Sequence, residues 1–407
     1  MDRWTGRILG LLLVFILAMV GVFLVTNTNL FGRGTRQDPR FEDVGGTPAE
    51  ATIDVEVPPG PSVSASSRHS ATTRPDGTVW TWGTGLYGRL GDGGNDDQNT
   101  PVRVRGLTNV ASIVSGGNHS LALRSNGTVW AWGRNIFGQL GDGSDTNRST
   151  PVRVLKLEGA VRVAAGANHS LALNWDGTVW SWGSNPSGQL GDGSTTNRFA
   201  PVQVSGLTDI VSIGAGDSHS LAVRSDGTVW SWGSNGSGHL GDGTTEDRPT
   251  PVQVTGLENI TAVAAGASHS LALASDGTVW SWGRNSFGQL GDGATENRLE
   301  PVQVLGLTEV RSISAGLSHS LALRSDGTVW SWGWNASGQL GDGTVLDRST
   351  PAQVSGLEDV ASITAGPSHS VAADADGVAW AWGRNDFGQL GGGRSPNRRV
   401  PTPVPGF

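Results

Sequence analysis

His119-Ser120-Leu121-Ala122-Leu123-Arg124-Ser125-Asn126-Gly127-Thr128-Val129-Trp130-Ala131-Trp132-Gly133 places two short runs of small, β-branched and aromatic residues on either side of Ser-Asn-Gly. Such runs around a turn signal read as a β-hairpin. Asn-Gly, and the Asp-Gly of most other copies, favours a type I′ turn, in which both central residues need positive φ. Upstream, Val110 to Ser115 is another short strand, joined through Gly116-Gly117-Asn118. Downstream, a long loop from Gly133 to Thr150 carries GQLGDG, and Pro151-Val152-Arg153-Val154 reads as a fourth strand. Its leading Pro suits a strand start or an outer edge.

The unit recurs every 50 residues. His69, His119, His169, His219, His269, His319 and His369 keep that spacing, as do the Trp pairs from Trp80/Trp82 to Trp380/Trp382. A period of this length marks a repeat architecture. Seven units of four short antiparallel strands, without a long helix, give an all-β, seven-bladed β-propeller over residues 62–407. Residues two apart on a strand share a face, so both Trp of a pair fill the widening wedge between blades. Burying one such ring contributes roughly 4–6 kcal/mol gross, an upper bound before entropy.

The combination of HSLALRSDGTVWSWG, GQLGDG and PVQVSGL resembles the repeats of the regulator of chromosome condensation (RCC1-type) family. The resemblance implies a seven-bladed propeller used as a binding platform. The family founder is a guanine-nucleotide exchange factor on chromatin, and a related propeller is a secreted β-lactamase inhibitor. Blade one departs from the pattern with Ser66-Ser67-Arg68-His69 and a weak first strand. Blade seven has Gly392 in place of the Asp of GDG.

Before the propeller, Ile8 to Val25 is an uncharged apolar run of 18 residues. As a helix it spans roughly 27 Å, close to a bilayer core. We read residues 1–26 as one N-terminal transmembrane helix, an uncleaved signal anchor, with a cleaved signal as the alternative. A short tail before a first apolar segment usually stays inside, which places the propeller outside the cytoplasm, extracellular or periplasmic. The arginines flanking the run do not decide the orientation. Residues 27–61, rich in Gly, Pro, Thr and acids, read as a flexible linker, with one alternating stretch, Thr52 to Val57, that suits an extra strand.

Composition removes several functions. Net charge is −8 and no basic run exists, so the electrostatic footprint for nucleic acid is missing. Zero cysteines exclude disulfides, thiolate metal sites and Cys nucleophiles. Histidines related by the ring lie one blade apart and cannot converge on one ion, so they read as structural hydrogen-bonding groups. His239, which replaces the Gln of GQLG, reads as drift. Asp142 to Asn147 has oxygens at calcium-like spacing but lacks the EF-hand pattern, so it reads as a turn. No cofactor, metal or catalytic residue is expected, and the chain is not expected to be an enzyme.

Variation between copies concentrates in the loop between the third and fourth strands. One position there reads Tyr87, Phe137, Ser187, Ser237, Phe287, Ser337 and Phe387, and Trp334 stands where other copies have Arg, Ser or Thr. Tyr87, Phe137, Phe287, Trp334 and Phe387 are the candidate partner-binding residues. Closing the ring sets Phe387, Tyr87 and Phe137 on consecutive blades, where adjacent aromatics suit a hot spot. The competing reading packs each ring under its own loop. The expected function is a membrane-tethered, non-catalytic, monomeric scaffold for a protein partner or an envelope polymer. Guanine-nucleotide exchange is the first alternative and a secreted inhibitor-like binder the second.

Overall fold

The computed structural model describes residues 62–406. The expected anchor (1–26), the linker (27–61) and the Thr52–Val57 stretch lie outside the described residues. Among the described residues no helix is long and apolar enough to cross a membrane.

Seven four-stranded antiparallel sheets follow one another along the chain, each built from one continuous stretch. Blade two is representative, with strands Val110–Ser115, His119–Arg124, Val129–Gly133 and Arg148–Arg153. The first strand lines the central channel and the fourth forms the rim. In blade one the first strand is short, Val63–Ala65, but pairs in the same register as its counterparts. The fourth strand begins earlier than expected, at Arg148, so Pro151 lies inside it. An outer edge tolerates this, because the missing N–H faces away from the ladder.

The hairpin differs from the expected type I′ turn. Only Gly127 has positive φ (75°); Asn126 does not. Gly127 N–H donates to the Arg124 carbonyl (2.9 Å) and Arg124 N–H to the Thr128 carbonyl (3.0 Å). This is a type I turn closed by a glycine in the left-handed region, a three-residue loop. The Asn126 side-chain oxygen accepts from Thr128 Oγ1 at 2.7 Å and secures the turn.

The core lies between blades. Leu121, Leu123, Val129, Leu140 and Val154 of blade two pack against Ala160, Ala172 and Trp182 of blade three. The two Trp of a pair share a face but not a burial. Trp82, Trp132, Trp182, Trp232, Trp282, Trp332 and Trp382 are fully buried, whereas Trp80, Trp130 and their counterparts are half-buried. The later Trp of each pair is enclosed between blades, while the earlier one keeps part of its ring in solvent. Arg74 and Arg224 cover two of these outer rings, 4.1 and 4.7 Å from the centroids.

Polar side chains join the blades. Each ladder His Nε2 lies 2.8–3.0 Å from a Ser Oγ of the following blade, from His69–Ser120 around to His369–Ser70. Each Ser Oγ donates onward to the carbonyl of the GQLG Gln position one blade back, as Ser170 does to Gln139 at 2.8 Å. That hydroxyl proton is committed, so the imidazole must carry its proton on Nε2. The same carbonyl accepts the inner Trp Nε1–H at 2.8–3.0 Å in every blade. Seven blades close on themselves this way, and the seam between blades seven and one uses the same contacts as the rest.

Candidate functional site

The ladder histidines are wholly buried, and burial lowers their pKa, to about 3 for His119 and about 4 for His169. They are neutral, spent on serines, and directed into the blade interfaces. At the glycine three before each ladder His, a Cβ on Gly116 or Gly216 would meet the His ring and a carbonyl of the next blade. Blade one has Ser66 there instead, and its hydroxyl donates to His69 Nδ1 at 2.6 Å. His239 is also buried, edge-to-face with His219 at 4.7 Å, while its backbone carbonyl does the work of the Gln position. Replacing Gln by His therefore leaves the inter-blade bond intact.

The channel mouth on the GxxH side encloses about 90 Å³. Alanine, glycine and serine from the seven turns line it, together with Asp217, Leu317 and Pro367. One carboxylate among small residues makes no convergent reactive set.

The GDG loops are built by an Asp–Arg clip. Asp142 Oδ2 accepts from Arg148 Nε (2.9 Å) and Nη2 (2.8 Å), while Oδ1 accepts from Ser144 N–H and Asn135 Nδ2. The same clip recurs as Asp192–Arg198, Asp242–Arg248, Asp292–Arg298 and Asp342–Arg348. Burial opposes ionisation of these carboxyls, yet the hydrogen bonds from Ser144 and Arg148 hold Asp142 below its ordinary range. The calcium-like spacing at Asp142 to Asn147 is thus a turn whose oxygens are already used, with Asn147 Oδ1 accepting from Asn135 N–H at 2.8 Å.

The five candidate contacts all lie half-buried on the loop face of the ring. Tyr87, Phe287 and Phe387 each meet a side chain of the following blade, whereas Phe137 meets Arg134 of its own. Phe287 of blade five meets Trp334 of blade six, ring centroids 6.0 Å apart. Arg134 of blade two lies between Tyr87 (5.2 Å) and its own blade's Phe137 (5.8 Å). Arg68 of blade one covers Phe387 of blade seven at 4.6 Å. The Phe387–Arg68 pair and the Tyr87–Arg134–Phe137 set thus place alternating aromatics and cations along a track over blades seven, one and two. Exposed Leu86 and Ile136 stand beside it. Phe287 and Trp334 form a separate pair on blades five and six.

The cations of this track went unread in the sequence. The residue 47 positions after Tyr87 and after Phe287 is its ring neighbour in the next blade, and comparing copies at that offset exposes Arg134 and Trp334. Arg89, in the Gln position of blade one, is almost wholly buried. Its Nε donates to the Leu86 carbonyl at 2.8 Å, its Nη1 has no partner, and burial lowers its pKa to about 10.

The family model for the RCC1-like domain matches residues 23–262 and 251–407. The solved structure of Prp20p from Saccharomyces cerevisiae, reported with its binding properties to Gsp1p and histones, superposes with a TM-score of 0.72 at 28% identity, covering 82% of this chain and 87% of that one. Yeast RCC1 (Prp20) bound to Kap60 gives a TM-score of 0.73 at 26% identity, covering 92% and 91%. The human E3 ubiquitin-protein ligase HERC2 is 39% identical over 51 residues, 12% of this chain and 1% of that protein. The chain thus spans about 1% of the length of the first curated relatives it matches.

Proposed function

The chain belongs to the RCC1-like domain family, and from that premise we propose that it is a non-catalytic docking propeller. It presents its loop face to a protein partner and is tethered by residues 1–26 with the ring outside the cytoplasm. The aromatic and cationic track over Phe387, Arg68, Tyr87, Arg134 and Phe137 is the observation that carries this reading. Half-buried aromatics and arginines are the residue types on which interfaces concentrate their energy. The repeated His, Ser and inner Trp support it indirectly, because their polar atoms are already used between blades. An envelope polymer is the alternative ligand, since stacked aromatics also receive sugar rings.

The test is capture by the full chain from solubilised membranes, comparing wild type with the triple variant Tyr87→Ala, Phe137→Ala and Phe387→Ala. The partner held by wild type is expected to be lost at an unchanged melting temperature. Equal capture by both proteins overturns the reading. Cleavage of the propeller by protease added to intact cells tests the orientation. The likeness to Prp20p, described with Gsp1p, favours nucleotide exchange as the second reading. Accelerated release of labelled GDP from a candidate GTPase would establish it.

A further inference from the structure

Blade seven carries a clip with one half missing. In blades two to six the first Arg of the outer strand grips the Asp of GDG, whose side chain is 5–8% exposed. Blade seven keeps the Arg, as Arg398, but has Gly392 in the acid's place. Arg398 has no side-chain partner among the described residues. Its guanidinium leans into the space of the absent carboxylate, with Nη2 2.9 Å from where a Cβ on Gly392 would stand. The loop adjusts only locally: Asn385 Nδ2 donates to the Gly393 and Ser395 carbonyls at 3.0 and 2.9 Å, where Asn135 donates to the Ser144 carbonyl, and Leu390 N–H still donates to Asn385 Oδ1.

Charge sharpens the contrast. From the GDG position to two residues past the Arg, the six other loops carry net charges from 0 to −3. The blade-seven loop carries Arg394, Arg398 and Arg399 with no acid, on a chain whose total is −8. Among the described residues only Arg394 finds a carboxylate, Asp97 across the seam at 3.3 Å. Phe387 of the rim track, with Arg384 5.8 Å from its ring centroid, belongs to the same blade.

We propose that this loop receives an acidic segment of the protein partner, one carboxylate of which occupies the place of the missing Asp and completes the clip with Arg398. A carboxylate suits this position because the other blades bind one here in a two-point, charge-assisted geometry. Arg399 and the exposed face of Arg394 provide for neighbouring acids. This rests on the docking reading above and deepens it by naming the chemistry of the partner.

The test uses the full chain and a fluorescent peptide of alternating Asp and Leu, with the matched Asn peptide as control, read by anisotropy at low salt. Wild type is expected to bind the Asp peptide at least tenfold more tightly than the Asn peptide. Gly392→Asp supplies the carboxylate in cis. It is expected to lose at least tenfold in peptide affinity while its melting temperature rises. Arg398→Gln is expected to lose the peptide without that rise. Full binding by Gly392→Asp overturns the proposal, as does equal binding of the Asn peptide. A wild-type dimer abolished by Gly392→Asp also overturns it, assigning the loop to the acidic blade-one loop of a second copy. The peptide assay needs no physiological partner. The docking reading fails separately, if the triple aromatic variant still captures its partner.

Discussion

Lowering the pH from 8 to 5.5 should strongly destabilise this propeller, and the ladder histidines set the magnitude. All seven are wholly buried with Nε2–H committed to a serine, and six have an Nδ1 without a partner. Burial lowers each below its ordinary pKa, to about 3 for His119, His269, His319 and His369. In the unfolded chain the same rings titrate near 6.5. The unfolded state therefore binds protons in the window between about 4 and 6.5 that the folded state refuses. The stability is fully present above that window and is lost as pH falls through it. At pH 5.5 the cost is about 1.4 kcal/mol per ring, or about 10 kcal/mol for seven, against a typical domain stability of about 5–15 kcal/mol. Urea titrations followed by the fluorescence of the buried Trp, at pH steps between 8 and 5.5, measure this directly. The expected slope near pH 5.5 is about six protons taken up on unfolding, and His119→Gln should remove about one. A stability that changes by less than about 2 kcal/mol across that range, or a slope below about three protons, would refute the assignment.

Ser220→Ala removes the acceptor for His169 Nε2–H and one donor to the Gln189 carbonyl; a loss of about 2–3 kcal/mol in urea unfolding is expected. Gly216→Ala forces a methyl against His219 and the Gly266 carbonyl, so a loss above about 3 kcal/mol or failure to fold is expected, checked by soluble yield and circular dichroism. Lys156 sits at φ 53° where Gly106, Gly206, Gly256, Gly306, Gly356 and Gly406 serve the other six blades, so Lys156→Gly should raise stability by about 1 kcal/mol. Asp242→Asn uncouples Arg248 in a half-exposed clip and should cost about 1–2 kcal/mol, less at high salt; melting temperatures in low and high salt test it.

The ring was legible because its determinants repeat. His, Trp, Gly and Pro at a spacing of 50 place four strands in every blade without any tertiary information. Three details were not legible, each for a local reason. Asn126-Gly127 suggests a two-residue turn, but the loop holds three, and only Gly127 takes positive φ. The polar run Arg148-Ser149-Thr150 looks like loop, yet it extends the outer strand, where one edge meets solvent and no apolar pattern is required. Trp130 and Trp132 are equal in sequence and unequal in burial, because the wedge between blades has a depth that alternation cannot report. At the rim, the aromatics were visible as departures from the repeat. Their cationic neighbours were not, since Arg68 reaches Phe387 only once the ring has closed.

That closure has an implication for how the molecule tolerates rearrangement. Each described blade comes from one uninterrupted stretch, and the seam between blades seven and one reuses the His369–Ser70 and Trp82–Gln389 bonds found at every other joint. Among the described residues no strand is borrowed to lock the circle, so their joint is not tied to one position along the chain. Joining the last blade to the first and reopening the chain at another base linker would preserve every inter-blade bond. The blades could then be dealt in a new starting order, with the rim track carried intact around the circle.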